Sequence, residues 1–584
     1  MPSARFEIPE CPAADVALLR RELGVSGPLA QVLVRRGFGD PARGRAFLDA
    51  EDDHPPAAFA GIDGALEAIL GRVRSGERIT IHGDYDVDGV CSTAVLVRAL
   101  RRLGANVDWY LPDRSSDGYG LSERTVRMLA ARGTGLLLTV DCAITAVAEV
   151  ALARELGMEV VVSDHHAPRA DGLLPRAPIV HPLLCGYPCE ELCATAVAYK
   201  LAQALAVAAG ACDGERLRED LDLVALATIA DVVPLVGENR ALVRRGLRAL
   251  ASTTKPGLRA LMSVSRVDPG RLNERSIGFA LAPRLNAAGR LYRADAGLEL
   301  LLTGDEQRAE QIAEELDRVN RERRQVEMRI RVEAEAQIAT LGERSCYVLA
   351  GERWHPGVIG IVASRLVERH RRPVVLISLD GDTGRGSGRS IEAFDLLAGL
   401  TACAGELDRF GGHRAAAGLE IKRSRVDACA ASLGAHADSV LRPQDMVAVE
   451  RVDAVVGGDE LGIPLAEELQ RLAPFGRGNP GVALLVADAS FHDRRPMGDG
   501  KHVRFTVESR GARARAVAFG TGGRLPVDDG APAEATFTLE VNEWNGVSEP
   551  RLVLRQARPG RAPTARSSGL PEPADEELVL FAAP

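Results

Sequence analysis

Lysine is nearly absent from this chain of 584 residues: only four of its 72 basic residues are Lys, so arginine carries almost all the positive charge. That bias reflects codon composition more than mechanism. Ten cysteines are far too few for a disulfide scaffold and are expected as reduced thiols. No run of about 18 uncharged apolar residues occurs, which excludes a sequence-evident membrane-spanning helix. The opening MPSARFEIPE has no apolar stretch behind its basic residue, so no secretory leader and a cytoplasmic location are expected.

What is present describes ordinary globular protein: 46% hydrophobic and 26% charged residues with a mean hydropathy of -0.03. At roughly 100–200 residues per domain the length predicts about three or four domains. The formal net charge of -9 argues against a polyanionic partner only if charge is spread evenly. It is not. From Glu238 to Arg293 twelve cations (Arg240, Arg244, Arg245, Arg248, Lys255, Arg259, Arg266, Arg271, Arg275, Arg284, Arg290 and Arg293) face only Glu238, Asp268 and Glu274. A phosphate-binding surface is the favoured reading of that +9 segment, and solvated helix faces the competing one.

Residues 1–60 read as short helices and loops. From Arg78 the apolar runs Ile79–Ile81, Val107–Leu111, Leu136–Val140 and Val160–Val162 alternate with helical patterns such as Cys91–Leu103 and Thr145–Leu156. This predicts a parallel α/β sheet over a domain of residues 61–304. Residues 305–341 contain no Gly or Pro before Leu341 and space apolar side chains at three and four, which predicts a long connecting helix or two nearly continuous ones. Ser345–Ala350 and Val374–Leu379 suggest a second, smaller α/β domain over 342–440. Short alternating stretches such as His502–Glu508 and Thr536–Val541 suggest a small C-terminal β-barrel over 446–557, and 559–584 reads as a flexible tail.

Ligands of parallel sheets sit at the carboxyl ends of the strands. There the chain places Ile81-His82-Gly83-Asp84-Tyr85-Asp86-Val87-Asp88-Gly89, then Thr139-Val140-Asp141, Ser163-Asp164-His165-His166 and, after a later apolar run read as a fourth strand end, Ala230-Asp231-Val232. So many carboxylates at one edge cannot all ionise unless cations neutralise them. Asp and His donors without Cys favour Mn²⁺, with Mg²⁺ possible, and a shared carboxylate suits a pair of ions that hydrolyse a phosphoester. Capping Asp and core His residues are the bland explanation of any one position, less so of all four together.

The motifs HGDYDVDG, TVDCAI, SDHH and ADVVPL resemble those of the DHH phosphoesterase superfamily, and their order and spacing resemble the RecJ single-strand-specific DNA exonucleases. The likeness continues through Phe279–Arg290, Gly386–Ser390, Gly411-Gly412-His413 and Pro474-Phe475-Gly476, across about residues 60–560. It implies a DHH phosphoesterase domain, a DHH-associated domain and an OB-like barrel. By the resemblance His82, Asp86 and Asp141 hold one ion, and Asp88, Asp141, His165 and Asp231 the other, with Asp141 as the bridge. His166 then faces the scissile phosphate, while Asp84 and Asp164 orient ligands. Ala143, His181 and Thr195 depart from the family's usual Gly, Asn and Gly. His181, Cys185, Cys189 and Cys193 recur every four residues, but Pro182, Gly186 and Pro188 break the helix that could align them for zinc.

In the second domain Thr383–Ser390 reads as a Gly-rich anion-binding loop, with a plain turn as its alternative. The resemblance assigns Ser387 and Arg389, with Arg114, to the 5′-phosphate end, brings His413 near the substrate, and adds Arg284 and Arg290 to the substrate-binding residues. Aromatics are only 4% of the chain, so Tyr119 and Trp354-His355 stand out as stacking surfaces or as packing.

The leading expectation is a 5′→3′ exonuclease trimming single-stranded DNA to mononucleotides in repair and recombination. A phosphodiesterase acting on short oligonucleotides or cyclic dinucleotides, and a replication scaffold with a decayed site, are the alternatives; the extra barrel argues against the first and intact ligands against the second. Besides single-stranded DNA, a sliding clamp, a single-strand-binding protein and a recombination helicase are the partners the resemblance leaves open, with no membrane partner. Glu577-Leu578-Val579-Leu580-Phe581 resembles clamp-docking Leu-x-Leu-Phe peptides, with Glu577 where Gln is usual, and a segment folded back onto a domain is the equal alternative.

Overall fold

The computed structural model describes residues 4–113, 120–211, 218–293, 295–544 and 547–560. Arg114, Tyr119 and the Glu577–Phe581 segment lie outside them. The chain forms two compact units. One comprises Pro41–Ala448 with Arg471–Gly481; the other comprises the stretch up to Asp40, Val449–Gln470 and the chain from Val482 on.

The larger unit is built on a five-stranded, wholly parallel sheet. Its order is Val107–Tyr110, Arg78–His82, Thr134–Val140, Glu159–Ser163 and Ile179–Val180. Leu136, Leu138 and Val140 alternate with Leu137 between two hydrophobic clusters, so both faces are buried. A run covered on both sides needs the near-continuous apolar composition that made these strands readable. Helices Val87–Arg102 and Ala194–Ala208 pack with Ile79, Ile81 and Leu138 in one cluster, while Glu123–Ala131 and Val147–Glu155 cover the other face.

The expected long helix is one uninterrupted element, Glu306–Leu341, capped by Asp305 accepting from Arg308 N and ended at Gly342. Its first half places Ala309, Ile312 and Leu316 in the core of the parallel-sheet domain. Its second half places Ile330, Ala334 and Ile338 against Leu349, Val358 and Leu376 of the next sheet. One rod thus contributes to two cores.

That second sheet is ordered Arg409–Gly412, Ala416–Lys422, Thr383–Arg389, Val374–Asp380, Tyr347–Glu352, parallel only between the last two. The Gly-rich segment expected as a loop is therefore a strand in the middle of the sheet. Its backbone pairs with Val374–Asp380 on one side and Ala416–Lys422 on the other. The glycines have a packing reason: a Cβ on Gly386 would lie 2.7 Å from Leu419, and one on Gly388 2.8 Å from Leu396. Period-2 alternation then sends Arg385, Ser387 and Arg389 to the opposite face.

The smaller unit holds a closed five-stranded barrel. Leu484–Met497 pairs with both His502–Ser509 and Pro532–Trp544, and Ala512–Ala518 and Val547–Pro559 complete the ring. Phe491 fills its interior with Phe505 and Phe537, ring centroids 4.8 and 6.3 Å away. Helices Ala13–Leu23 and Gly27–Arg35 belong to this unit, where Arg36 pairs with the buried Asp453 at 2.9 Å. No helix among the described residues is long and apolar enough to cross a membrane.

The run ending in Asp231 is a helix, Leu221–Ala230, and not a strand. It is buried on all sides, so its apolar residues carry no periodic signal, and strand and helix cannot be separated by pattern alone. Gly246 of helix Gly237–Ala251 lets the two helices touch: a Cβ there would overlap Leu221 O and come within 2.5 Å of Ala225 Cβ. Gly246→Ala is expected to lower the thermal midpoint. A clash with a backbone oxygen falls at the upper end of the about 1–3 kcal/mol of overpacking, exceeding the roughly 1 kcal/mol that Ala gains over Gly in a helix. An unchanged midpoint by circular dichroism would contradict this contact.

Candidate metal centre

The first motif is a strand that turns directly into a helix. Gly89 allows the turn to fold back, since a Cβ there would sit 2.5 Å from Asp84 N. Asp86 caps helix Val87–Arg102, its Oδ1 accepting from Asp88 N at 2.9 Å and Gly89 N at 3.2 Å. Asp88 instead caps another helix: Ala194 N donates to its Oδ2 at 2.7 Å and Thr195 N to its Oδ1 at 2.8 Å. Thr195, one of the departures from the family pattern, adds a hydroxyl donor to Asp88 Oδ1 at 2.6 Å. Helix Ala282–Leu291 locks the loop from outside, through Asn286 Oδ1 accepting from Val87 N at 3.1 Å and the close approach of Gly289 to Tyr85 O.

The second and third motifs hold each other. Asp141 follows its strand with φ +61° and donates its N–H to Ser163 O at 3.1 Å. Ala143 has φ +83°, a left-handed conformation in which the family's usual Gly is unstrained and Ala costs roughly 1–2 kcal/mol. Asp164 accepts from Ile144 N at 2.9 Å, from His165 N at 2.7 Å and from the His166 ring Nδ1 at 2.9 Å. His181, the third departure, bonds His166 O through Nε2 at 2.8 Å while Leu184 N donates to its Nδ1. Its spacing with Cys185, Cys189 and Cys193 builds no metal group among the described residues.

These motifs converge. Asp84, Asp86 and Asp141 form one group of potential ligand atoms, all within 4.8 Å of one another; Asp88, His165 and Asp231 form a second, and Asp141, His165 and His166 a third. His165 Nε2 lies 3.2 Å from Asp141, 3.7 Å from Asp88 and 3.8 Å from Asp231, and makes no hydrogen bond among the described residues. A nitrogen lone pair facing three carboxylates, two of them almost fully buried, is a donor set suited to a divalent cation. His82, expected as a ligand, is fully buried behind the cluster with Nδ1 3.5 Å from Cys142 Sγ and enters none of the three groups. Asp84, expected to orient ligands, enters one.

Burial, and after it the charges of Asp88, Asp86 and Asp84, pushes the Asp141 carboxyl well up. Burial and Asp88 raise Asp86, and burial with Asp88 and Asp86 raises Asp231 to about 8. Burial lowers His165, keeping its imidazole neutral. For His166 burial acts downward, but the bond to Asp164 and the charges of Asp164 and Asp231 outweigh it and hold the ring's pKa at about 9.

The expected substrate residues fare differently. Ser387 and Arg389 share one face, Arg389 Nη1 donating to Ser387 Oγ at 3.1 Å, above Gly360 of helix Pro356–His370, where a Cβ would lie 2.9 Å from Ser387 Oγ. Arg290 links to this helix through Gly357 O at 3.0 Å. His413 is exposed in the turn beside the strand pairing with Thr383–Arg389. Arg284 is turned inward onto Asp317 at 2.8 Å and acts as a tie to the long helix. Trp354 is buried and donates to Glu333, so it packs and does not present a stacking face.

The +9 segment is partly neutralised. Arg245 pairs with Asp53, Lys255 with Asp222, Arg259 with Glu306, and Arg293 with Asp295 and Glu299. These counter-charges come from outside the segment, beyond the reach of a local charge count. Thr195, Asn286 and Gly289 are the site residues that sequence reasoning left without a role, although the departure at Thr195 and the Phe279–Arg290 motif had marked their positions.

With the Asp231 carboxyl raised to about 8, and those of Asp141 and Asp86 raised by burial and by neighbouring carboxylates, binding a cation displaces protons. Mn²⁺ added at pH 7 is expected to release protons, and its apparent affinity to weaken as pH falls; above about pH 8 the release shrinks because Asp231 is already ionised. Calorimetry in two buffers of different ionisation enthalpy measures this. Identical heats in both would contradict it.

Three family models match the chain: the DHH family N-terminal domain over 78–228, the DHHA1 domain over 342–435 and the RecJ OB domain over 452–556. The chain is 38% identical over 565 residues to the single-stranded-DNA-specific exonuclease RecJ of Bacillus subtilis, covering 95% of this chain and 70% of that protein. It superimposes on the crystal structure of RecJ in complex with Mn²⁺ from Thermus thermophilus with a TM-score of 0.83 at 32% identity, covering 97% of this chain and 81% of that one. The complex of RecJ with Mg²⁺ from the same organism gives a TM-score of 0.77 at 30% identity, covering 96% and 79%. Domain order and extent thus agree along almost the whole length, and the chain belongs to the RecJ family.

Proposed function

We infer that this protein is a metal-dependent exonuclease of single-stranded DNA, acting in the 5′→3′ direction and releasing mononucleotides in repair and recombination. The observation that carries the reading is an acidic centre in which Asp141 belongs to two cation-sized ligand groups. We assign Asp88, Asp141, His165 and Asp231 to one ion. His82, Asp86 and Asp141 are assigned to the other, with Asp84 close enough to join them.

When bound, two Mn²⁺ or Mg²⁺ ions supply a nucleophile at neutral pH and stabilise charge on the attacking and leaving oxygens of an in-line displacement. The protein's own residues fix the geometry. Asp164 holds the His166 ring through Nδ1, and we assign that 40% exposed side chain to a phosphate oxygen. Thr195 and the helix behind it fix Asp88 in one orientation. Ser387 and Arg389 offer a hydroxyl and a guanidinium fork for a terminal phosphate, which gives the reading its polarity, with Arg114 as a further contact. The barrel is of a class that holds single strands on stacking and basic side chains. A cytoplasmic location and docking on a sliding clamp, a single-strand-binding protein or a recombination helicase complete the proposal. Acidic groups present at all four motifs disfavour a decayed scaffold.

Incubation with Mn²⁺ and 5′- or 3′-end-labelled single-stranded and duplex DNA tests the reading. Loss of the 5′ label first, as mononucleotide and from single strands only, is expected; 3′ loss or equal attack on duplex would overturn it. Arg389→Ala should reduce use of 5′-phosphorylated ends by about one to two decades, the worth of a charge-assisted bond of roughly 1.5–3 kcal/mol. An equal loss on 5′-hydroxyl ends would place the terminal-phosphate site elsewhere.

A further inference from the structure

The stretch Arg471–Gly481 is flanked on both sides by chain of the barrel unit, yet it belongs to the unit that contains the acidic centre. It is attached there by its backbone. Leu235 N donates to Arg477 O at 2.8 Å, and the buried Arg240 donates to Arg471 O at 2.9 Å. Gly476 and Gly478 permit the contact: a Cβ on the first would be 2.8 Å from Leu235 Cδ1, and one on the second 3.1 Å from Pro234 Cβ.

Within the stretch, Gly476 and Asn479 exchange backbone hydrogen bonds at 2.8 and 3.2 Å. The Asn479 amide, 1% exposed, donates to Leu472 O and Pro474 O at 2.8 Å each. The result is a rigid hairpin with Arg477 at its tip. Leu235, which carries the Arg477 carbonyl, is four residues beyond Asp231.

Several arginines of this region, Arg245, Arg259, Arg284 and Arg293 among them, are bound to carboxylates. The Arg477 side chain is exposed and makes no hydrogen bond or ion pair among the described residues. The hairpin lies against the residues that follow Asp231, with Gly478 on Pro234 and the Arg477 carbonyl on Leu235. An exposed cation on a backbone-fixed hairpin next to that segment is placed to meet an incoming anion. A guanidinium fork matches a phosphodiester.

We propose that Arg477 grips a backbone phosphate of the DNA strand at the acidic centre and so contributes to substrate binding there. The proposal rests on the nuclease reading above. It adds a contact from a segment separated in sequence from both phosphoesterase domains.

The test compares wild type, Arg477→Ala and Arg477→Lys on a single-stranded oligomer with Mn²⁺ across a salt series. Arg477→Ala should raise KM about tenfold, the worth of one charge-assisted contact, with kcat, thermal midpoint and Mn²⁺ stoichiometry close to wild type. The slope of log(kcat/KM) against log salt should become shallower by about 0.7, the share of one phosphate contact on a single strand. Arg477→Lys should keep most of that slope. If Arg477→Ala retains the wild-type KM and slope, the contact is refuted; if it changes only Mn²⁺ affinity, Arg477 acts on the cation site alone and the proposal also fails. A wild-type protein that does not degrade single strands would overturn the nuclease reading itself, which is a separate failure.

Discussion

Mutual repulsion among buried carboxylates is the constraint on which the rest of the structure depends. Asp84, Asp88, Asp141 and Asp164 are each 3% exposed or less, and Asp86 and Asp231 adjoin them. Two like charges about 4 Å apart repel by about 4 kcal/mol at the effective dielectric of a partly wet protein site, and here several pairs act at once. Without cations the cluster takes up protons, which is what the raised carboxyls of Asp86, Asp141 and Asp231 express. An arrangement that is unfavourable alone and favourable when charged is a cation site by construction.

The fold tolerates this because three of the six acids also close a helix or a loop. Asp86 accepts from the first turn of its own helix, Asp88 from the start of Ala194–Ala208, and Asp164 from three backbone N–H groups of the second and third motifs. Each carboxylate gains hydrogen bonds to its charged form and is fixed in direction by the helix or loop it closes. Left-handed backbone at Asp141, Ala143 and Val232 marks where the chain bends to present its acids. Strain of that kind collects at functional sites when the surroundings enforce it.

The sequence made part of this legible. Strands such as Thr134–Val140, covered on both faces, appear as plain apolar runs, and the amphipathic period of Glu306–Leu341 held over its full length. Acidic groups stood out because their spacing at strand ends has no common structural explanation. Other features were hidden for physical reasons. Leu221–Ala230 is buried all round and has no face to give it a period. Gly384, Gly386 and Gly388 looked like a phosphate loop because composition cannot distinguish glycine kept for backbone freedom from glycine kept for close packing in a sheet. The basic segment gives up part of its surplus to Asp53, Glu306 and Asp317, whose pairing no local charge count can see. Asp84 enters a ligand group that the resemblance had not given it, while His82 enters none of the three.

The central claim is that two divalent ions share Asp141. Paramagnetic-resonance titration of the metal-free protein with Mn²⁺, run on wild type and on Asp141→Ala, tests it most directly because it counts ions without relying on catalysis. Two bound Mn²⁺ per wild-type chain, spin-coupled to each other, and both weakened in Asp141→Ala, is the result the account predicts. A single site in the wild type, or two sites that survive in Asp141→Ala with unchanged affinity, would contradict it.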